Sequence, residues 1–302
     1  MSSFIFSFAA LLFSPFLLSI INRTKAVLGG RKGAPLLQPY YDIIKLIQKG
    51  AVYSCTTTWV FKAGPAVGLA ATIICVFIVP FGAHPAPFAF SGDFVLLAYL
   101  LGLSRFFTVS AALDTGSSFE GMGASREAAF SALAEPALFL ALAAVARKTG
   151  ELSLSGIFHA ISAQGWGASS LPIALLTTTA LLIIFLAENA RIPVDDPNTH
   201  LELTMIHEVM VLDHGGMDLA FIQYGASLKL WVLGAILMGC LAPGRPDTSW
   251  LGGAAFMGGM CALSVLTGVI ESSMARLRLV RVPQLLSGAG GLAALALILV
   301  MR

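Results

Sequence analysis

Charged side chains are scarce in this sequence. Only 18 Lys or Arg and 16 Asp or Glu occur among 302 residues, whereas hydrophobic residues make up 57% of the chain. Soluble globular domains carry about 25% charged residues, so the composition excludes that class and indicates an integral membrane protein. The formal net charge of +2 is too small to suggest a nucleic-acid partner.

Cysteine and histidine are also sparse, which argues against several redox centres. The four cysteines form no CxxC pair, so the sequence predicts neither an iron–sulfur cluster nor a disulfide framework. The five histidines lie outside the long apolar runs, which argues against a haem held between membrane helices. The spacing of His200, Glu202, His207 and His214 matches no metal-ligand motif, so we expect no metal and no cofactor in this chain.

Long apolar runs dominate the chain instead. A membrane-spanning helix needs about 20 predominantly apolar residues. Runs of this kind cover residues 4–22, 65–83, 93–111, 128–146, 171–190, 224–243, 251–270 and 283–301. The sequence therefore predicts an all-α integral membrane protein with about eight transmembrane helices. No fixed repeat period divides it, so we expect a single membrane domain over residues 1–302.

Basic residues are concentrated in alternate connecting segments. These segments cover about residues 23–64, 112–127, 191–223 and 271–282. The positive-inside rule predicts that they face the cytoplasm and that the N-terminus lies outside. We therefore expect a multi-pass protein of the cell inner (cytoplasmic) membrane whose chemistry or docking takes place on its cytoplasmic side.

The first of these segments contains an amphipathic pattern. Tyr40, Ile43, Ile44 and Ile47 have the i, i+3, i+4, i+7 spacing of one helical face. A short helix between Pro39 and Lys49 would lie in the headgroup plane, where it would be able to close a lateral entrance for an amphiphilic ligand. An ordinary interfacial helix is the alternative interpretation.

The segment after the fifth run is the richest in charge. Asp196 is suited to cap a helix that begins at Pro197. That helix would carry an apolar stripe of Leu201, Met205, Val209 and Leu212 and a polar stripe of His200, Thr204, His207 and Glu208. The polar stripe would carry protons, meet a headgroup or simply face solvent.

Four further charged residues lie within the apolar runs: Arg105, Glu135, Glu188 and Lys229. A charge at the bilayer centre costs about 2.5–3.5 kcal/mol on insertion scales, so these residues should face one another, a water-filled cavity or a partner subunit. A buried salt bridge between Glu135 and Arg105 and a proton relay through Glu135 are both compatible with this pattern.

Several segments resemble a known family. GRKGAPLLQPYYDIIKL at 30–46 and RIPVDDPNTHLEL at 191–203 resemble loops of the quinone-proximal membrane subunit of respiratory complex I, known as subunit 1. The segments at 113–136 and 271–283 are more similar to the homologous subunit of energy-converting nickel–iron hydrogenases, such as formate hydrogenlyase and hydrogenase-4. We favour the hydrogenase branch, because Asn198 and His200 stand where the complex I loop has glutamates.

The resemblance also implies functional residues. Those expected to line a quinone-like cavity are Arg31, Gln38, Asp42, Lys45, Arg191, Pro193, Asp195 and Glu202. Those expected on a proton or coupling path are Arg105, Glu127, Glu135, Glu188, Glu202, Glu208 and Lys229, with Arg126 belonging to the hydrogenase-type pattern.

The function implied is that of a non-redox subunit of an oxidoreductase complex. The chain would anchor a nickel–iron hydrogenase arm and couple its electron transfer to proton or sodium translocation. Its partners would be the large and small (iron–sulfur) hydrogenase subunits on the cytoplasmic face, antiporter-like membrane subunits and the lipid bilayer. Nickel–iron and iron–sulfur centres would belong to the partners, and a quinone is a possible ligand. The alternatives are the quinone-binding subunit 1 of complex I (NADH:quinone oxidoreductase), an inert structural anchor and a stand-alone ion transporter.

Overall fold

The computed structural model describes residues 2–82, 84–167, 170–195, 205–241 and 250–301. Within these ranges the chain forms ten α-helices and two 3₁₀ helices. The α-helices are α1 (Ser2–Leu28), α2 (Gln38–Ile47), α3 (Trp59–Ile78), α4 (Asp93–Asp114), α5 (Ser118–Thr149), α6 (Leu154–Gln164), α7 (Leu171–Glu188), α8 (Gly216–Leu241), α9 (Trp250–Ser273) and α10 (Val282–Met301). The 3₁₀ helices are Glu208–Val211 and Leu279–Arg281.

Eight of these helices are long and apolar enough to cross a membrane. They are all the α-helices except α2 and α6, and they match the eight apolar runs of the sequence, which confirms the all-α membrane fold. Which side of the membrane holds the N-terminus stays a prediction, as does the single-domain organisation.

One end of the helical body carries most of the polar connections, and we call it the loop end. It contains the last turns of α1, α4, α7 and α9, the first turns of α3, α5, α8 and α10, and the amphipathic helix α2. Asp114 joins α4 to α3 at this end, because its carboxylate accepts a hydrogen bond from the backbone N–H of Thr58 at 2.6 Å. The short amphipathic helix predicted between Pro39 and Lys49 is confirmed as α2, which packs against α1 and α8.

Helix α8 lies in the core of the body, where it contacts α1, α3, α7 and α9. Leu228, Trp231, Val232 and Ala235 of this helix are all buried. Helix α7 packs against α8, and α5 packs against both α4 and α7, so that charged residues of all four helices lie close together. This arrangement positions the candidate site.

Two expectations about the connections were wrong. The segment 112–127 is not mainly a loop, because α5 begins at Ser118. In the polar first turns of α5, Glu120 and Glu127 are buried against the chain after residue 204. The predicted α-helix from Pro197 does not continue through Met205–Leu212, where only a short 3₁₀ helix forms. In this segment the backbone N–H groups of Ile206 and His207 donate hydrogen bonds to Asp195 Oδ2, at 3.1 and 3.2 Å. Residues 196–204, with the cap and first turns of that expected helix, lie outside the described residues.

Helix α6, which lies at the opposite end from α2, was not expected from the sequence. Asp93 of α4 anchors this helix, because its carboxylate accepts hydrogen bonds from the backbone N–H of Leu154 and the hydroxyl of Ser153, both at 2.8 Å. A short apolar helix between two spans has no distinctive hydrophobic length, so its identification needed the tertiary structure.

Candidate functional site

Arg105 of α4 is the centre of a buried ion cluster. Its side chain is 8% exposed, and its Nε donates a hydrogen bond to Glu127 Oε1 at 3.0 Å. Its two terminal nitrogens contact the carboxylates of Glu135 and Glu188. A guanidinium group carries five N–H donors in a fixed plane, which suits it to hold several carboxylates at once. The pair of Glu135 with Arg105, one of the alternatives that the sequence left open, is therefore one of three ion pairs that Arg105 forms.

The cluster extends in two directions from Arg105. On one side, Lys229 of α8 contacts Glu188 with 2.7 Å between Nζ and Oε2. On the other side, Glu127 Oε2 lies 3.2 Å from Nε2 of His207, in the chain segment after residue 204. Thus α4, α5, α7 and α8 each contribute a charged group, and His207 connects these groups to the loop end.

His207 is linked in turn to Asp195. The two side chains are 3.6 Å apart between Nδ1 and Oδ2, and Arg276 Nη2 donates to the other oxygen of Asp195 at 2.7 Å. These contacts form one connected set, which we call the Arg105 network. Its members are Arg105, Glu127, Glu135, Glu188, Asp195, His207, Lys229 and Arg276.

Burial and charge act in opposite directions on the groups at the loop end of this network. Burial alone would lower the pKa of His207, but the negative charges of Glu127 and Asp195 raise it above its usual value. Burial alone would raise the pKa of Asp195, but its hydrogen bond and charge interaction with His207, together with Arg276, lower it. Both shifts favour the charged forms, a protonated imidazole and an ionised carboxyl group.

The charge balance of the network depends on that imidazole. Among the described members of the network, four carboxylates face three cations, Arg105, Lys229 and Arg276. The network therefore carries a net negative charge unless His207 holds a proton. Excess negative charge in a low-dielectric interior is costly, so the charge balance of these described groups favours a protonated His207.

A small cavity adjoins the network. It has a volume of about 10 Å³ and is bordered by the polar side chains of Glu127, Glu188 and His207 and by apolar residues of α5, α7 and α10. A polar cavity of this size holds about one water molecule. Such a water would connect groups that do not touch directly.

A second set of contacts surrounds Glu271 at the end of α9. The side chain of Glu271 is fully buried and contacts Lys25 of α1 at 2.8 Å and Arg191 at 3.4 Å. Pro193 follows Arg191 in a buried stretch, and its carbonyl accepts a hydrogen bond from the backbone N–H of Leu277 at 2.9 Å. These contacts tie the segment after α7 to α1 and α9.

The other predicted residues have varied surroundings. Arg126 donates a hydrogen bond to the carbonyl of Met205 at 2.9 Å, and Glu208 is half-buried at the start of the 3₁₀ helix. Glu202 lies outside the described residues.

In the first loop, the side chain of Gln38 donates a hydrogen bond to Asp42 at 2.8 Å, whereas Arg31 and Lys45 are exposed. The role of these first-loop residues in a quinone-like cavity stays a prediction.

An apolar pocket of about 170 Å³ lies between α1, α2 and α8. Its lining residues are Leu11, Leu12, Pro15, Tyr40, Ile43, Ile44 and Tyr224. Pro15 has no backbone N–H to donate to the carbonyl of Leu11, and the hydroxyl of Tyr224 donates to that carbonyl at 3.1 Å. The hydroxyl of Tyr40 donates to the carbonyl of Leu12 at 2.6 Å.

Sequence reasoning missed three charged members of these clusters. Lys25 and Arg276 lie in the connecting segments predicted to be rich in basic residues, and Glu271 lies at the end of an apolar run, so none of the three was predicted as a site residue. Their position at the ends of apolar runs was the available signal, but it does not distinguish a buried ion pair from a solvated charge. Their partners are distant in the chain: Arg276 lies 81 residues from Asp195.

The comparisons with known proteins agree with this fold. The sequence model described as NADH dehydrogenase matches residues 1–302. Formate hydrogenlyase subunit 4 of Escherichia coli K12 is 32% identical over 292 residues, which cover 94% of this chain and 93% of that protein. Hydrogenase-4 component C of the same organism is 32% identical over 236 residues and covers 77% of this chain and 72% of that protein.

Two further relatives are more distant. A subunit of the NADH-quinone oxidoreductase of Koribacter versatilis is 29% identical over 178 residues, which cover 56% of this chain and 42% of that protein. A chain in the structure of the membrane-bound sulfane sulfur reductase, an archaeal respiratory membrane complex, matches with a TM-score of 0.84 at 21% identity, covering 99% of this chain and 98% of that chain. The likeness to the sulfane sulfur reductase chain shows the fold of this protein.

Proposed function

The chain belongs to the NADH dehydrogenase family, and from this premise we propose that it is a membrane-arm subunit of a multisubunit respiratory-type complex. It anchors a nickel–iron hydrogenase arm to the inner membrane and couples the electron transfer of that arm to ion translocation. The partners proposed are the large and small hydrogenase subunits at the loop end and antiporter-like subunits within the membrane.

The hydrogenase branch has two sources of support. The relatives named as formate hydrogenlyase and hydrogenase-4 components match more of the chain, at higher identity, than the NADH-quinone oxidoreductase relative does. In addition, the hydroxyls of Tyr40 and Tyr224 beside the apolar pocket already donate to backbone carbonyls. A quinone ring needs donors for its carbonyl oxygens, so this pocket fits an apolar chain better than a quinone ring.

The observation that carries the proposal is the continuity of the Arg105 network. It runs from Asp195 and His207 at the loop end to Glu135 within a membrane span, through contacts that are individually within ion-pair distance. A change of charge at the base of a docked arm would alter the proton affinity of His207, and then the balance among Glu127, Arg105 and Glu135.

Glu135 places one end of the Arg105 network at the side of the helical body. Its side chain is 45% exposed although it lies in a membrane-spanning helix, whereas the side chains of Glu127 and Glu188 are 8% and 7% exposed. A charge half-exposed to lipid is costly, so we infer that a neighbouring membrane subunit covers Glu135. The path then continues into that subunit.

Purification and mutation test this proposal. A tagged chain should co-purify with hydrogenase large and small subunits. The Glu135→Gln variant should retain assembly and hydrogen evolution in detergent but lose at least half of the proton uptake in vesicles, whereas the control Glu151→Gln, at an exposed position, should behave like the wild type. Unchanged proton uptake in Glu135→Gln would identify an inert anchor.

Other purification results would reassign the protein. Nicotinamide-binding subunits in place of the hydrogenase would identify a complex I subunit. A homo-oligomer that moves ions without any redox subunit would identify a stand-alone transporter.

A further inference from the structure

A second group of buried polar side chains lies at the loop end, outside the Arg105 network. Glu120 in the first turn of α5 is fully buried, and His214 and Asp218 are 7% and 8% exposed. His214 shortly precedes α8, and Asp218 lies in its first turn. None of the proposed coupling steps uses these residues.

The chain after residue 205 runs antiparallel along α5 and connects the two groups. His207 contacts Glu127, and the backbone N–H of Asp213 donates to Glu120 Oε1 at 3.1 Å. Glu120 and Glu127 are seven residues apart, which places them on one face of the helix about 10 Å from each other along its axis. Buried Val209 and Met210 lie between these contacts, so apolar side chains separate the second group from the Arg105 network.

Aromatic stacking and a close backbone approach position the second group. The ring of His214 stacks on Phe61 of α3, with 3.9 Å between centroids and 7° between planes. Gly216 has a φ of +56°, and a Cβ at this position would lie 2.6 Å from the carbonyl oxygen of Gly50. This contact draws the chain after α2 onto the start of α8, where Tyr53 lies close enough to Asp218 for its charge to act on the phenol.

Three buried atoms in this group lack a hydrogen-bond partner among the described residues. They are Oε2 of Glu120, Nδ1 of His214 and Oδ2 of Asp218. In the described part of the chain, no ion pair involves Glu120, Asp213 or Asp218. The ammonium group of Lys62 lies over the Tyr53 ring, 4.8 Å from its centre.

This group has a different charge balance from the Arg105 network. Buried carboxyl groups without a cation are stable only if a proton or water satisfies them. Burial lowers the pKa of His214, although the negative charges of Asp218 and Asp213 act in the opposite direction, so burial favours the neutral imidazole. Asp213 is exposed and connects the group to solvent at the loop end.

We propose that Glu120, His214 and Asp218 form a second proton-binding site, in which ordered water joins the three side chains and they share one proton taken from solvent. The step is a simple protonation: a hydronium ion at the surface loses its proton to the site, water is released, and no electron moves. The site takes up a proton near the docked arm. Its role in coupling rests on the proposed function.

Infrared difference spectroscopy on the detergent-purified complex tests this site directly. Spectra recorded across about pH 6 to 8 should contain the carbonyl band of a protonated carboxyl group that shifts in D₂O. Because the proton is shared, Glu120→Gln and Asp218→Asn should each change the position or the intensity of this band, whereas the control Glu151→Gln should leave it unchanged. Spectra of both variants that superimpose on the wild-type spectrum would overturn the proposal.

Assembly is the second measurement. If the Glu120→Gln variant does not assemble, the infrared carbonyl band of the Asp218→Asn variant tests the site instead. If neither assembles while Asp213→Asn does, the group is purely structural and the proposal is wrong. The infrared result does not require coupling, so an assembled complex that has the band but moves no ions would refute the proposed function and leave the site intact.

Discussion

His207 Nε2 lies 3.2 Å from a carboxylate oxygen of Glu127, and this contact attaches the segment after residue 204 to α5. Through Glu127 the imidazole reaches Arg105, which also holds Glu135 and Glu188. A single titratable side chain at the loop end is thereby in electrostatic contact with the interior of the membrane body.

Replacing Arg105 by methionine should destabilise the protein strongly. The change would leave Glu127 and Glu188 buried without their shared cation, and removing one partner of a buried pair costs about 3–5 kcal/mol. We expect a lower thermal transition of the purified complex and reduced membrane insertion. Arg147 is exposed, so Arg147→Met is a matched control and should leave the thermal transition unchanged. Equal transitions for the two variants would contradict the central role of Arg105.

The pH dependence of stability should depend on His207. Its pKa is raised in the folded protein, so its protonation stabilises the fold in full below about pH 6.5, the value of a free imidazole. This contribution is lost as the pH rises through the raised folded-state pKa. Thermal transitions of the wild type should therefore decrease with rising pH in this range, and His207→Gln should flatten the decrease. The same profile for wild type and His207→Gln would refute this assignment, and the exposed His159→Gln serves as the control.

Gly123 allows the segment after residue 204 to approach α5. A Cβ at this position would lie 2.3 Å from Cγ1 of Val209 and 3.0 Å from the carbonyl oxygen of Ile206. Gly123→Ala should therefore displace the segment, with a loss of stability of about 1–3 kcal/mol and weaker coupling. Gly121 lies two residues earlier in the same helix and has open space around it, so Gly121→Ala should be neutral or stabilising by up to about 1 kcal/mol. Chemical denaturation of both variants provides the measurement.

Glu271 should be important for holding the segment after α7 in place. It is the buried partner of Lys25 and Arg191, so Glu271→Gln would weaken two ion pairs at once. We expect a loss of about 3–5 kcal/mol, together with faster proteolysis of the segment after residue 190. Lys25 is 22% exposed and able to turn toward solvent, so Lys25→Gln should cost less than Glu271→Gln. A larger effect of Lys25→Gln would contradict this order.

Hydrophobic length and local periodicity were sufficient to predict the membrane helices and α2. Each span follows from the free energy of transferring about 20 apolar residues into lipid, which is a property of that stretch alone. The same reasoning was wrong for Met205–Leu212. There the apolar spacing suggested an α-helix, but Asp195 binds the backbone N–H groups of Ile206 and His207 and the chain follows α5 instead.

The candidate site could be predicted only as a set of residue types. Intramembrane charges indicated that Arg105, Glu135, Glu188 and Lys229 needed partners, and the structure brings all four together. Glu120 and Asp218 gave no such signal, because they lie at span ends where a charge is common.

The amino-acid sequence by itself determined a chain of eight membrane helices with few charges and a polar loop end, since transfer into lipid is decided locally. Only the tertiary structure decided which charges meet, because ion pairing depends on the depth and rotation of each helix relative to its neighbours. Arg105 illustrates this: its partners lie 22, 30 and 83 residues away in the chain. No local pattern encodes such distances, and packing of α4, α5 and α7 brings these side chains into contact.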